Sequence, residues 1–225
     1  MSLDHRDKLQ VGAQRLGLVL NSDQLTKLVS YLHLQIKWNK TYNLTAIEDP
    51  VRIVTHHLLD SLSVWRHATG KTGIDVGSGG GLPGIPLAIS FPDKELTLLD
   101  SNGKRCRFLT QVKIELQLTN VEVVHRRTQD YVGQQYDMVF SRAYGSVYRV
   151  ASEMAHLLSP AGVLLAMRGK LDEQELSGLP KTIKVLAVDR LQVPFLKEER
   201  NLVTMSRADK QALTQTNNQC NATAR

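Results

Sequence analysis

The apolar residues of this chain change period once. Over residues 23–38, "DQLTKLVSYLHLQIKW", Leu25, Leu28, Val29, Leu32 and Ile36 recur at helical spacing, with Asn21 and Ser22 placed to cap the start. "NKTYNLTAIEDP" breaks that period and ends on Pro50. A second helix is expected over roughly 51–68, with Ile53, Val54, His57, Leu58 and Leu62 on or near one face. Trp38 and Tyr42 read as core residues of this helical part rather than as stacking platforms. Residues 1–70 therefore form a helical extension.

After Gly70 short apolar runs take over. "GIDVG", "ELTLLD", "VEVVH", "YDMVFSRA" and "GVLLAMRG" read as five strands. Helical stretches follow the first, second and fourth: "IPLAISF", "KRCRFLTQVKIELQL" and "RVASEMAHLL". "TIKVLAVDRLQV" and "RNLVTMSR" read as closing strands. Strands alternating with helices predict an α/β domain over 71–207, with a parallel sheet covered on both faces. The polar tail, 208–225, has no period and is expected to be disordered. The whole reads as one structural domain.

Composition narrows the picture. In 225 residues, 42% hydrophobic and 22% charged content is that of an ordinary globular protein. No apolar window has the length of a membrane span, and the N-terminus has no secretory pattern. Two cysteines, Cys106 and Cys220, build neither a disulfide framework nor a zinc site. A cytoplasmic protein without a metal is expected. The net charge of +6 suits a polyanionic partner without proving one.

The densest candidate chemistry is "GIDVGSGGGLPGIP", Gly73 to Pro86. A strand, a glycine-rich turn and a helix open a doubly wound nucleotide-binding fold, whose ligands lie beyond the carboxyl ends of the strands. Asp100 closes the second strand, where a carboxylate can accept hydrogen bonds from an adenosine ribose. A G-x-G-x-x-G match falls at Gly79, Gly81 and Gly84, but Pro83 lies inside it and Gly79 does not end the strand. Read from the strand end, the pattern is Asp75-x-Gly77-x-Gly79-x-Gly81. An acid there repels a pyrophosphate and favours a cationic ligand such as S-adenosylmethionine. A P-loop is absent. A nicotinamide or flavin site, or a plain turn capped by Asp75, stays open on these residues alone.

Basic residues collect at the same end of the strands. Lys104, Arg105 and Arg107 follow Asp100, Arg126 and Arg127 follow the third strand, and Arg142 follows the fourth. They are placed to hold RNA phosphates or a guanine, or to be solvated charges. Cys106 among them reads as incidental. The chain has no Pro-Cys dipeptide for pyrimidine attack and no Asn-Pro-Pro-Tyr for exocyclic amines.

Beyond these generic features, "GSGGGLPGIPLAI" followed by "TLLDSNGKRCRFL" resembles the RsmG (GidB) family of bacterial 16S rRNA guanine-N7 methyltransferases. So do "KWNKTYNLTAIEDP", "HHLLDSL", "FSRAYGS" and "LQVPFLKEERNLV", in order from about Leu25 to Met205. The resemblance implies a class I S-adenosylmethionine-dependent methyltransferase with a small N-terminal helical extension. It implies transfer to N7 of a guanine in the 530 loop of 16S rRNA in the small ribosomal subunit. Carried over by motif, Asp75, Gly77, Gly79, Gly81 and Leu82 form the cofactor loop. Asp100 holds the ribose, and Thr128 and Gln129 bracket the adenine. Arg142 reaches the methionine end or the substrate, and Arg142 and Asn43 are the catalytic candidates, Asn43 either donating to the substrate base or only fixing a turn. Lys104, Arg105, Arg127, Arg168 and His57 are the RNA candidates, His57 reading equally as a packed or capping residue. The family commonly has Lys-Gly at Arg168-Gly169, and a more acidic pair at Thr128-Gln129. A monomer is expected. Rival functions are methylation of another RNA or a protein, and an rRNA-binding assembly factor without catalysis.

Overall fold

The computed structural model describes residues 4–172 and 174–208. The tail expected to be disordered falls, from residue 209 on, outside the described residues.

Helical segments precede the sheet. α1 (His5–Arg15) starts where the Asp4 carboxylate accepts the His5 N–H, and α2 (Ser22–Tyr42) starts on a reciprocal cap between Asn21 and Gln24. α2 ends at Asn43, whose φ of 49° is left-handed. The expected second helix is not uniform. α3 (Pro50–Ile53) runs into a π-helical segment (Val54–Leu59) and then α4 (Asp60–Leu62), with a separate 3₁₀ turn at Trp65–His67. Such π segments are rare, and this one buries His57 and precedes the buried Asp60.

The strands are β1 (Thr72–Val76), β2 (Glu95–Asp100), β3 (Val121–His125), β4 (Tyr136–Arg142), β5 (Leu158–Arg168), β6 (Ile183–Arg190) and β7 (Asn201–Arg207). They lie in the order β3-β2-β1-β4-β5-β7-β6. The first five pair in parallel, and β7 pairs antiparallel with both β5 and β6. The closing strands thus depart from the all-parallel expectation. The segment between β6 and β7 holds no helix, and without a crossover the chain can only return antiparallel. The order reverses between β1 and β4, which opens a crevice at their carboxyl ends.

α5 (Gly84–Ser90) and α6 (Gly103–Glu115) cover one face of the sheet, and α2 packs across both. Leu28, Leu32, Leu58, Leu62, Phe108 and Phe140 belong to one continuous apolar core, so the helical extension shares its core with the sheet. α7 (Val147–Met154) covers the other face against Ile74, Val139 and Leu164. Trp38 packs on Tyr42 and Phe108, as the sequence led us to expect. Among the described residues no helix is long and apolar enough to cross a membrane, and no cluster of His, Cys, Asp or Glu is placed to hold a metal ion.

Candidate active site

The glycine loop leaves β1 with three glycines at positive φ. At Gly77 (φ 69°) a Cβ would fall 2.7 Å from the Tyr144 ring, and at Gly81 (φ 90°) 2.6 Å from Ile85. A larger residue at either place would be strained in its backbone and would clash. The Gly77 and Ser78 N–H groups both donate to the Leu99 carbonyl, and Gly79 N–H donates to Asp100 Oδ2 at 2.8 Å. The loop is therefore folded back onto the end of β2.

Beside it lies a cleft of about 520 Å³. Gly77, Asp100, Thr128 and Gln129 line it, as do Arg105 and Arg127. Asp100 is buried at its wall. Its Oδ1 accepts the Asn102 N–H at 2.8 Å, and Arg105 Nη1 stands 3.6 Å from Oδ2. Tyr144 also lines the cleft, its ring beside Gly77. Its hydroxyl meets Thr128 Oγ1 at 3.0 Å and donates to Glu153 at 2.8 Å, under the Arg149 guanidinium.

Asp75 lies beneath the loop rather than on the cleft wall. It is 1% exposed, its Oδ2 accepts the Gly84 N–H at 2.9 Å, and Oδ1 has no partner among the described residues. Burial pushes its pKa up to about 7, against the opposing pull of the Gly84 N–H and of Arg142. An unpartnered buried carboxylate oxygen is a receptor for a cationic or hydrogen-donating group. Gly79 and Gly81 shape the loop without lining the cleft, and so does Leu82, next to Pro83.

A second cavity, of about 270 Å³, adjoins the first through Ala143. Arg142, Arg168 and Arg200 line it with Asp60. Asp60 is 1% exposed and carries two arginines: Arg142 Nε lies 3.2 Å from Oδ2 and Arg200 Nε 3.0 Å from Oδ1. Arg142 Nη2 also donates to the His56 carbonyl at 2.8 Å. Arg168 donates to the Gly145 carbonyl and, at 3.1 Å, to Glu175. Sequence reasoning passed over Asp60, Arg200 and Tyr144, although each lies inside a motif that carried the family resemblance.

Three expected site residues lie elsewhere. His57 is not an RNA-facing group: it is 3% exposed, and its ring nitrogens meet Gln35 Oε1 (3.3 Å) and Thr45 Oγ1 (3.2 Å). Burial, with Arg142 and His56 nearby, lowers its pKa to about 3. Packing wins because the π segment turns it inward. Asn43 is exposed as the left-handed end of α2 and lines neither cavity. Lys104 is exposed on the first turn of α6, outside both cavities. Cys106 is buried, its thiol donating to the Asp100 carbonyl at 3.3 Å and pushed up in pKa by burial, which suits an inert residue.

The arrangement fits S-adenosylmethionine. Gly77 puts bare backbone on the cleft wall, a carboxylate ends β2, and an unpartnered carboxylate oxygen lies below the loop. Solved structures agree on the fold. The chain superposes on the mitomycin 7-O-methyltransferase MmcR with a TM-score of 0.57 at 14% identity, covering 92% of this chain and 74% of that one. It superposes on a SAM-dependent methyltransferase from Aquifex aeolicus with a TM-score of 0.53 at 18% identity, covering 72% and 96%. The sheet is that of class I methyltransferases.

Sequence relatives are much nearer. Ribosomal RNA small subunit methyltransferase G of Pseudomonas aeruginosa (strain LESB58) is 49% identical over 205 residues, 90% of this chain and 96% of the relative. The protein of the same name from Marinomonas sp. (strain MWYL1) is 45% identical over 206 residues, 91% and 99%. The family model for rRNA small subunit methyltransferase G matches residues 24–203. The chain belongs to the rRNA small subunit methyltransferase G (GidB) family.

Proposed function

We propose that this protein transfers the methyl group of S-adenosylmethionine to N7 of a guanine in the 530 loop of 16S rRNA. The observation that carries the reading is that two cavities share Ala143 in their walls: one with Gly77 and Asp100, the other with three arginines. One suits a nucleoside cofactor and the other an anionic, guanine-bearing strand.

When bound, S-adenosylmethionine supplies an electrophilic methyl on a sulfonium, which the in-plane lone pair of guanine N7 can take by in-line attack. The remaining work falls to this chain. Asp100 and the Thr128–Gln129 turn would hold the nucleoside part, and Asp75, beneath the loop, would favour the ammonium through its negative charge. Arg142, fixed by Asp60 and the His56 carbonyl, would present its guanidinium to the acceptor base. N7 carries no proton, so no general base is required, and the neutral, buried His57 need not act as one. What the site contributes is orientation and a fixed field. Arg105, Arg126 and Arg127 on the cleft rim would take phosphates.

The test is transfer of labelled methyl to small subunits, or to 16S rRNA, that lack the modification. Label in 16S rRNA supports the reading. Label confined to protein or another RNA contradicts it, as does S-adenosylmethionine binding with no transfer at all.

A further inference from the structure

Tyr31, Gln35, Thr45 and His57 line neither cavity and take no part in the chemistry above. Tyr31, Gln35 and His57 are nonetheless buried polar groups, at 0%, 1% and 3% exposure. Groups so placed must satisfy one another.

Their donors can be assigned from one end. The Gly80 carbonyl can only accept. It receives the Tyr31 hydroxyl and, at 3.3 Å, the Gln35 amide, which also donates to the Tyr31 oxygen at 2.8 Å. With its nitrogen spent there, Gln35 turns its oxygen to His57 Nδ1, which must carry the proton. His57 Nε2 is then an acceptor, and the Thr45 hydroxyl donates to it at 3.2 Å while accepting the Ile47 N–H at 3.0 Å. Every link runs one way, from the loop after α2 to the glycine loop. The chain needs a neutral imidazole, which agrees with the low pKa of His57.

The receiving end matters because of what Gly80 adjoins. Gly79 gives its N–H to Asp100, and Gly79 and Gly81 both stand at positive φ. Glycines hold no conformation of their own. The segment is pinned from the sheet by Asp100 and from the helical extension by Tyr31 and Gln35.

We propose that Tyr31 and Gln35, ordered by His57 and Thr45, are positioning residues that hold the glycine loop in its cofactor-binding form. The helical extension thereby sets the affinity for S-adenosylmethionine. This rests on the reading of the larger cleft as the cofactor site.

The experiment uses the full chain. S-adenosylmethionine binding is measured by calorimetry for wild type, Tyr31→Phe and Thr45→Val, beside thermal unfolding. Tyr31→Phe keeps the ring and loses the donor. It should raise Kd about 3- to 10-fold, the weight of one buried hydrogen bond, with a smaller rise for Thr45→Val. Transfer at saturating cofactor should stay near wild type, since the loop and not the acceptor site is loosened. Should Tyr31→Phe not fold, Thr45→Val and amide exchange at Gly79–Gly81 in wild type decide, protection on cofactor binding being expected. A lowered Tm with unchanged Kd in the variants would overturn the proposal and leave a purely structural network. A wild type that fails to bind the cofactor would instead overturn the reading of the cleft.

Discussion

Arg142 rests its Nε on Asp60 Oδ2 at 3.2 Å, while the other oxygen of the same carboxylate holds Arg200. β4, the helical extension and the segment before β7 thus meet at one buried acid. Two guanidiniums brought so close would repel each other, and the carboxylate between them removes that cost.

Arg142→Lys keeps the charge and loses the fork that spans Asp60 and the His56 carbonyl. Turnover should fall about tenfold or more while S-adenosylmethionine affinity stays within about twofold, because orientation of the acceptor is what is lost. Single-turnover transfer beside calorimetry checks this. Normal turnover would make Arg142 a structural residue.

Asp60→Ala leaves two partly buried arginines without their acid. A loss of about 3 kcal/mol is expected, the size seen when one member of a buried ion pair is removed. Urea unfolding at neutral pH measures it. A change below about 0.5 kcal/mol would show that the cluster is solvent-screened.

Asp100→Ala removes the acceptor of the Gly79 N–H and the carboxylate at the cleft wall. Hydrogen bonds to a charged group are worth about 1.5–3 kcal/mol, so Kd for S-adenosylmethionine should rise about 10- to 100-fold. Unchanged affinity by calorimetry would remove Asp100 from the cofactor site.

The pKa of Asp75, raised to about 7 from 3.8, gives affinity a pH dependence. The folded chain holds a proton there that the unfolded chain has released. Stability from this group is therefore full below 3.8 and is lost as pH rises through about 7. Cofactor binding runs the other way: a cation favours the ionised carboxylate. Affinity should rise between about pH 6 and 7.5, and fall again as the ligand's α-amino group deprotonates near 8. In Asp75→Asn the rise should vanish. A wild-type profile flat from pH 6 to 7.5 would contradict the assignment.

His57 is expected to stay neutral at pH 5, with its proton on Nδ1, as nitrogen-15 NMR of the imidazole would show. Its folded pKa of about 3 lies below the ordinary imidazole value of 6.5. The unfolded chain takes up a proton first, so this contribution to stability is full above about 6.5 and declines as pH falls toward 3. An imidazole titrating near 6 would contradict the burial argument.

Much of the fold was legible because periods of 3.6 and 2 are local properties, and the glycine loop followed by Asp100 is a local pattern too. What escaped was set by distant contacts. α1 has little apolar signal: it buries Leu9, Gly12 and Ala13, and a Cβ on Gly12 would meet Leu59 at 2.4 Å. The antiparallel place of β7 depends on a missing helix rather than on any residue. Asp60 and Arg200 look like ordinary surface charges until the fold brings them together. His57 on an apolar helix face reads equally as packing or as function, and the deciding fact is the Gln35 oxygen one helix away. Asp75 was expected to face a cation directly. Instead it lies buried beneath the loop, anchoring Gly84 with one oxygen and leaving the other without a partner among the described residues.

The central claim, that the two neighbouring cavities carry a methyl from S-adenosylmethionine to guanine N7, is tested most directly by identifying the product. Small subunits lacking the modification are incubated with the protein and labelled S-adenosylmethionine, and the 16S rRNA is digested and analysed by mass spectrometry. The account predicts 7-methylguanosine at a single position in the 530 loop. A methyl on another guanine nitrogen, or at another position, would contradict it.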